Sequence, residues 1–139
     1  MSDEEFLNQF ENCTLEFKQW THRAHVKLAF IYLRRFPFSD ALEQIRRGIK
    51  SYNASQKIEE TPTSGYNETT PVAFVHLIAA TDRAYGTAMP ATSSDEFCDT
   101  HPQLMSAKIL RLFYSPELRM KPEAKTSFVP PDLTPFPRL

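Results

Sequence analysis

Apolar residues recur along most of this chain at helical spacing, and the pattern predicts an all-α fold. The cleanest stripe is Leu42, Ile45, Ile49 and Tyr52, with Glu43, Arg46, Arg47 and Lys50 off it. Start and stop signals divide the rest. Ser2 with Glu5 forms a capping box for a first helix that carries Phe6, Leu7 and Phe10 and ends near Asn12. Thr21 is the expected N-cap of a second helix, which Pro37 stops near Phe36 because the residue before proline avoids the α region. Ser39 is expected to cap a third helix, paired with the second as an antiparallel hairpin.

Residues 53–66 are polar and carry Pro62, Ser64 and Gly65, which predicts a long loop. A fourth helix is expected from Thr69 or Thr70 to Tyr85, with Pro71 in its first turn and Gly86 at its end. Ser93 and Glu96 open a short helix around Phe97. Pro102 then opens a run with Leu104, Met105, Ile109, Leu110, Leu112 and Phe113, apolar on several faces and expected to be a central helix. Beyond Pro116 and Pro122 the pattern breaks, and residues 128–139 are expected to form an extended, proline-rich tail. The expectation is a compact single-domain bundle of five to six helices spanning residues 1–139.

Composition adds bounds. A chain of 139 residues suits one domain, which buries roughly two thirds of the unfolded surface. A net charge of -1 supplies no basic surplus for nucleic acid. The acidic start "MSDEEFLNQF" is unlike a targeting signal, and no apolar run approaches the ~20 residues of a membrane span. Cys13 and Cys98 fit no zinc or disulfide pattern and are read as reduced thiols. A soluble cytoplasmic protein with neither membrane nor nucleic acid as partner is expected.

Chemistry concentrates at "WTHRAHV". His22 and His25, three apart, fall about 60° apart around a helix, on one side with Ala29 and Tyr32. Across the long loop stand Asn67 and Glu68, with His76 further along the fourth helix. His22, His25 and Glu68 together would be a two-histidine, one-carboxylate set suited to a divalent Fe, Zn or Mn ion. Without metal they could act as base and electrostatic stabiliser near neutral pH. The purely structural alternative takes the histidines as stacked or capping groups, Glu68 as a carboxylate favoured by a helix N-terminus, and His76 as a core residue. Lys108 and Arg111 are candidates to pair Glu68 or bind an anionic ligand. Asp99 and His101 form a further polar pair, and the Arg34-Arg35 and Arg46-Arg47 pairs read as solvated faces. No P-loop, GxSxG elbow or GxGxxG fingerprint is present.

The segments "CTL...WTHRAHVKLAFIYLRRFP", "GYNETTPVAFVHLIAA" and "HPQLMSAKILRLFYSPELRMKPEAKTSFVPPDL" resemble an uncharacterised family of small, mainly bacterial helical proteins. Its pattern is T-H-x-x-H, then G-Y-H-E-T, then Y-S-P-E and a closing F-x-x-P-D-L. The resemblance implies a helical fold and no reaction, and it marks His22, His25, Glu68 and the Tyr114–Glu117 segment as characteristic positions. Where that pattern has histidine before the glutamate, this chain has Asn67, a poor transition-metal ligand.

Two functions are expected from these residues. The first is a helical enzyme or binding protein with a His/Glu pocket for a small molecule or metal. The alternative is a non-catalytic protein interaction module whose histidines are structural.

Overall fold

Ser2, Thr21 and Ser93 cap three helices as their positions predict. Their hydroxyls accept the backbone N–H of Glu5, Ala24 and Glu96 at 3.1, 3.2 and 3.1 Å. Each answers a donor that a helix start leaves open, worth about 1 kcal/mol. The computed structural model describes residues 1–139. Its main helices are α1 (Asp3–Glu11), α2 (His22–Arg35), α3 (Phe38–Ser55), α4 (Thr69–Tyr85) and α5 (Ser94–Thr100). Two short helices follow, α6 (Pro116–Arg119) and α7 (Pro122–Thr126), with 3₁₀ segments at Phe17–Gln19, Pro102–Leu104 and Ala107–Leu112. There is no strand, only an isolated bridge between Thr61 and Ser64. No helix is long and apolar enough to cross a membrane.

The centre is α2, which packs on α3, α4 and α5. Val26 and Leu28 through Tyr32 are all buried. Phe36 and Pro37 turn the chain directly into α3, as predicted. Where α1 crosses α3, Gly48 permits the approach: a Cβ there would lie 2.6 Å from Phe10 Cε2. The Phe10 ring stacks on Trp20 at 4.9 Å and on Tyr52 at 5.6 Å, and the Tyr52 hydroxyl donates to Leu15 O at 2.8 Å. Cys13 and Cys98 are both free thiols, and burial pushes Cys98 up to about 11.

Three expectations are corrected. Ser39 does not cap α3, which begins two residues earlier than expected, with Pro37 at its N-cap and no side-chain bond. The same helix runs on to Ser55, so the polar loop starts later than predicted. The apolar run after Pro102 is not a central α-helix but two 3₁₀ segments, separated where Ser106 accepts the Lys108 N–H at 3.2 Å. Within the second segment Leu110 is fully buried and Phe113, three residues on, is partly buried, the spacing of a three-residue turn. Leu112 falls outside that phase and is 66% exposed.

The C-terminal segment is fastened. The Tyr114 hydroxyl donates to Val129 O at 2.7 Å, and the Ser115 N–H and hydroxyl donate to the Asp132 carboxylate at 2.8 and 2.6 Å. The Leu133 N–H donates to Phe113 O at 2.9 Å. The start of α4 is held as well: the Glu68 N–H donates to Lys125 O at 2.9 Å, and Thr69 Oγ1 donates to Ser127 O and accepts the Val129 N–H at 3.1 and 3.2 Å. The tyrosine and serine of Y-S-P-E thus hold the segment that contains F-V-P-P-D-L.

Candidate functional site

His22, His25, Val26 and Ala29 lie at i, i+3, i+4 and i+7, so the first two turns of α2 present both imidazoles on its inner stripe. They line a cavity of about 290 Å³ whose other walls are Ile45 and Ile49 of α3, with Thr70, Pro71, Phe74 and Val75 from the beginning of α4. Apart from the two imidazoles, the only polar side chain on this wall is Thr70.

Backbone carbonyls orient the two rings. His22 Nε2 lies 2.8 Å from Leu104 O, and His25 Nδ1 lies 2.7 Å from Thr21 O. A carbonyl only accepts, so each of these nitrogens carries hydrogen and donates. In the neutral rings the lone pairs are therefore on His22 Nδ1 and His25 Nε2, neither of which has a protein partner. The His22 ring meets Phe74 edge-on at 4.8 Å, and the His25 ring lies against Trp20 at 3.8 Å. Burial is the main force lowering the His25 pKa; the bond to Thr21 opposes it and the proximity of His22 adds to it. The positive end of the α2 dipole works in the same direction, against a charged first-turn imidazole.

Glu68 belongs elsewhere. It immediately precedes α4 and lines a separate cleft of about 540 Å³ with Lys50, Glu60, Tyr66 and Lys125. One carboxylate oxygen accepts the Tyr66 hydroxyl at 2.6 Å and the other accepts Arg46 Nε at 2.7 Å. Burial opposes the Arg46 charge, but the bond and the negative charge of Glu68 outweigh it and hold the guanidinium above its ordinary value. Burial, with Glu68 next, likewise raises Tyr66. Arg46, read from sequence as a solvated face, is the partly buried partner that Glu68 needed.

The structure thus joins His22 to His25 and leaves Glu68 apart, and nowhere are three His, Cys, Asp or Glu side chains grouped to hold a metal ion. An imidazole whose other nitrogen donates to a carbonyl is oriented as metal-ligating histidines are. An ion at this pair would take its remaining ligands from water or substrate. Asn67 serves the helix instead, since its Oδ1 accepts the Thr70 N–H at 3.0 Å and caps α4.

The other candidates are dispersed. Tyr32 is buried next to Phe36 and pushed up to about 12 by burial, away from the cavity wall. His76 stacks on Phe136 at 5.5 Å and packs on Phe38 at 4.9 Å, and burial lowers its pKa. His101 is buried at the end of α5 against Phe97. Asp99 pairs with Arg23 at 3.0 Å. Arg34 pairs with Asp82 at 2.9 Å. Lys108 and Arg111 are exposed and do not meet Glu68. The cavity residues that sequence reasoning passed over are Val26, Ile45, Ile49, Thr70, Pro71, Phe74 and Val75. The signal of the apolar ones was ordinary core periodicity and that of Thr70 and Pro71 a helix start, and neither marks a cavity. No protein-family model, curated protein or solved structure matches this chain.

Proposed function

We propose that the protein binds a small, largely apolar molecule carrying a hydrogen-bond donor, in the cavity between α2, α3 and α4. The observation that carries this reading is that both imidazoles spend their N–H groups on backbone carbonyls and leave only lone pairs free. The walls around them are aliphatic and aromatic. Such a site favours a hydroxyl or amine on an apolar body and disfavours a carboxylate, which would face acceptors with nothing to accept. A neutral imidazole that accepts a hydroxyl proton is also placed to act as a general base on it.

The test uses 4-ethylphenol, with 4-ethylbenzoate as its anionic counterpart, read by thermal stabilisation and by the fluorescence of Trp20 beside His25. Saturable stabilisation by the phenol alone, lost in Ala29→Leu and reduced in His22→Phe and His25→Phe, is the expected result. Equal responses to phenol and benzoate, or an undiminished response in Ala29→Leu, would rule the reading out.

A further inference from the structure

On the surface outside the histidine cavity, Arg111, Tyr114, Pro116, Arg119, Met120 and Leu133 enclose a groove of about 630 Å³. Met120 is 83% exposed and Leu133 56%. These side chains project from fixed backbone. Ser115 caps α6 by accepting the Leu118 N–H at 3.2 Å, and its own N–H and hydroxyl hold Asp132. The Leu133 N–H is bound to Phe113 O. Large apolar side chains grouped in water on an anchored backbone are a feature of surfaces that meet a partner.

The cations on this face make no close ion pair. Every ion pair in the molecule is made by Lys18, Arg23, Lys27, Arg34, Arg46, Arg47 or Lys125, so Lys108, Arg111, Arg119 and Lys121 have no carboxylate. Arg119 commits one N–H to Thr70 Oγ1 at 3.3 Å and keeps its remaining donors. The nearest carboxylate, Asp132, accepts both donors of Ser115 and feels the charge of Lys121, and neither it nor Glu117 nor Glu123 lines the groove beside Arg111 and Arg119.

We propose that this groove docks an acidic peptide segment, with Arg111 and Arg119 taking carboxylates and Met120 and Leu133 flanking an apolar side chain of the partner. Guanidinium forks bind carboxylates in two-point fashion, and arginine next to a buried apolar anchor is a recurrent centre of interface energy. The concave shape favours a peptide over a bilayer. α6 and α7, of 4 and 5 residues, are too short to lie in a membrane interface as amphipathic helices.

The full chain is titrated against a fluorescein-labelled peptide of glutamates interrupted by two leucines, followed by anisotropy. The counterpart peptide has lysines for glutamates, and phosphatidylserine vesicles serve as the lipid probe. The expected result is binding of the glutamate peptide that weakens with salt and falls about tenfold or more in Arg111→Glu and in Met120→Glu. Both residues are exposed, so these variants should keep the fold, and unchanged thermal unfolding is the control for that. The glutamate peptide should also shift the Met120 and Leu133 methyl resonances. No binding, equal binding of the lysine peptide, tighter binding to the vesicles, or unaltered affinity in both variants would overturn the proposal.

Discussion

The imidazole of His25 lies against the indole of Trp20 with ring centroids 3.8 Å apart, and Trp20 is the only tryptophan in the chain. Fluorescence is therefore a direct reading of the candidate site. A protonated imidazole in contact with an indole quenches it. Emission should hold steady at neutral pH and fall along a single titration with its midpoint below about 6.5, the ordinary histidine value. His25→Phe should abolish the step. A midpoint above about 6.5 would contradict the burial that keeps this ring neutral.

Stability should fall on mild acidification. His25, His76 and His101 all have lowered pKa values, with burial the leading cause in each. Above about 6.5 both folded and unfolded chains hold these rings neutral, and stability is full. Below that value the unfolded chain takes up protons first, so stability drops until the folded-state pKa values are reached. The carboxylates act in a lower window. Asp95, for which Arg23 and Lys27 outweigh the cost of burial, loses its contribution only below about 4. Melting temperatures measured from about pH 8 to about pH 5 should decline, and less steeply in His76→Phe. An unchanged slope in that variant would exclude His76 as a contributor.

Gly48→Ala should destabilise the protein although alanine is the better helix former by about 1 kcal/mol. The added Cβ would lie 2.6 Å from Phe10 Cε2, and Phe10 is 1% exposed and held between Trp20 and Tyr52. Overpacking of this kind costs about 1–3 kcal/mol. Because Phe10 supports Trp20 and Trp20 supports His25, the variant should also shift Trp20 emission. Denaturant unfolding decides the sign.

Glu68→Ala should lower stability by about 2 kcal/mol, the scale of hydrogen bonds to a charged group, since it leaves the Tyr66 hydroxyl without its acceptor and Arg46 with only its longer contact to Glu43 at 3.5 Å. Phenol binding at the histidine cavity should survive in the folded fraction, because Glu68 lines a different cleft. Loss of binding with stability intact would instead join Glu68 to the histidines.

Capping chemistry and periodicity made most of this fold legible. Ser2, Thr21 and Ser93 act locally, and the α3 stripe needs only its own helix. The 3₁₀ course after Pro102 was hidden because a dense apolar run looks alike in any helical phase. Ser106, which interrupts it, acts through one local hydrogen bond. At the site, the pairing of His22 with His25 could be read from their spacing, whereas the separation of Glu68 could not. The carboxylate's allegiance was decided by Arg46 and Tyr66, and which of two cavities a side chain enters is a matter of tertiary packing. Asn67 looked like a lost ligand and is a helix cap, a role open to it from sequence position alone.

The fastening of α4 by the C-terminal segment bears on the order of folding. Thr69 bonds to Ser127 and Val129, 58 and 60 residues further along the chain. Contacts of such sequence separation close late, after local helices have formed. On the ribosome, α2, α3 and α4 emerge well before Val129 does, so the first turn of α4 must wait in water for its partners. Thr70 and Pro71 of that turn are also walls of the histidine cavity. The cavity is thus complete only once the segment around Val129 has been made, and a nascent chain can be helical through α5 while these two walls are still unfastened.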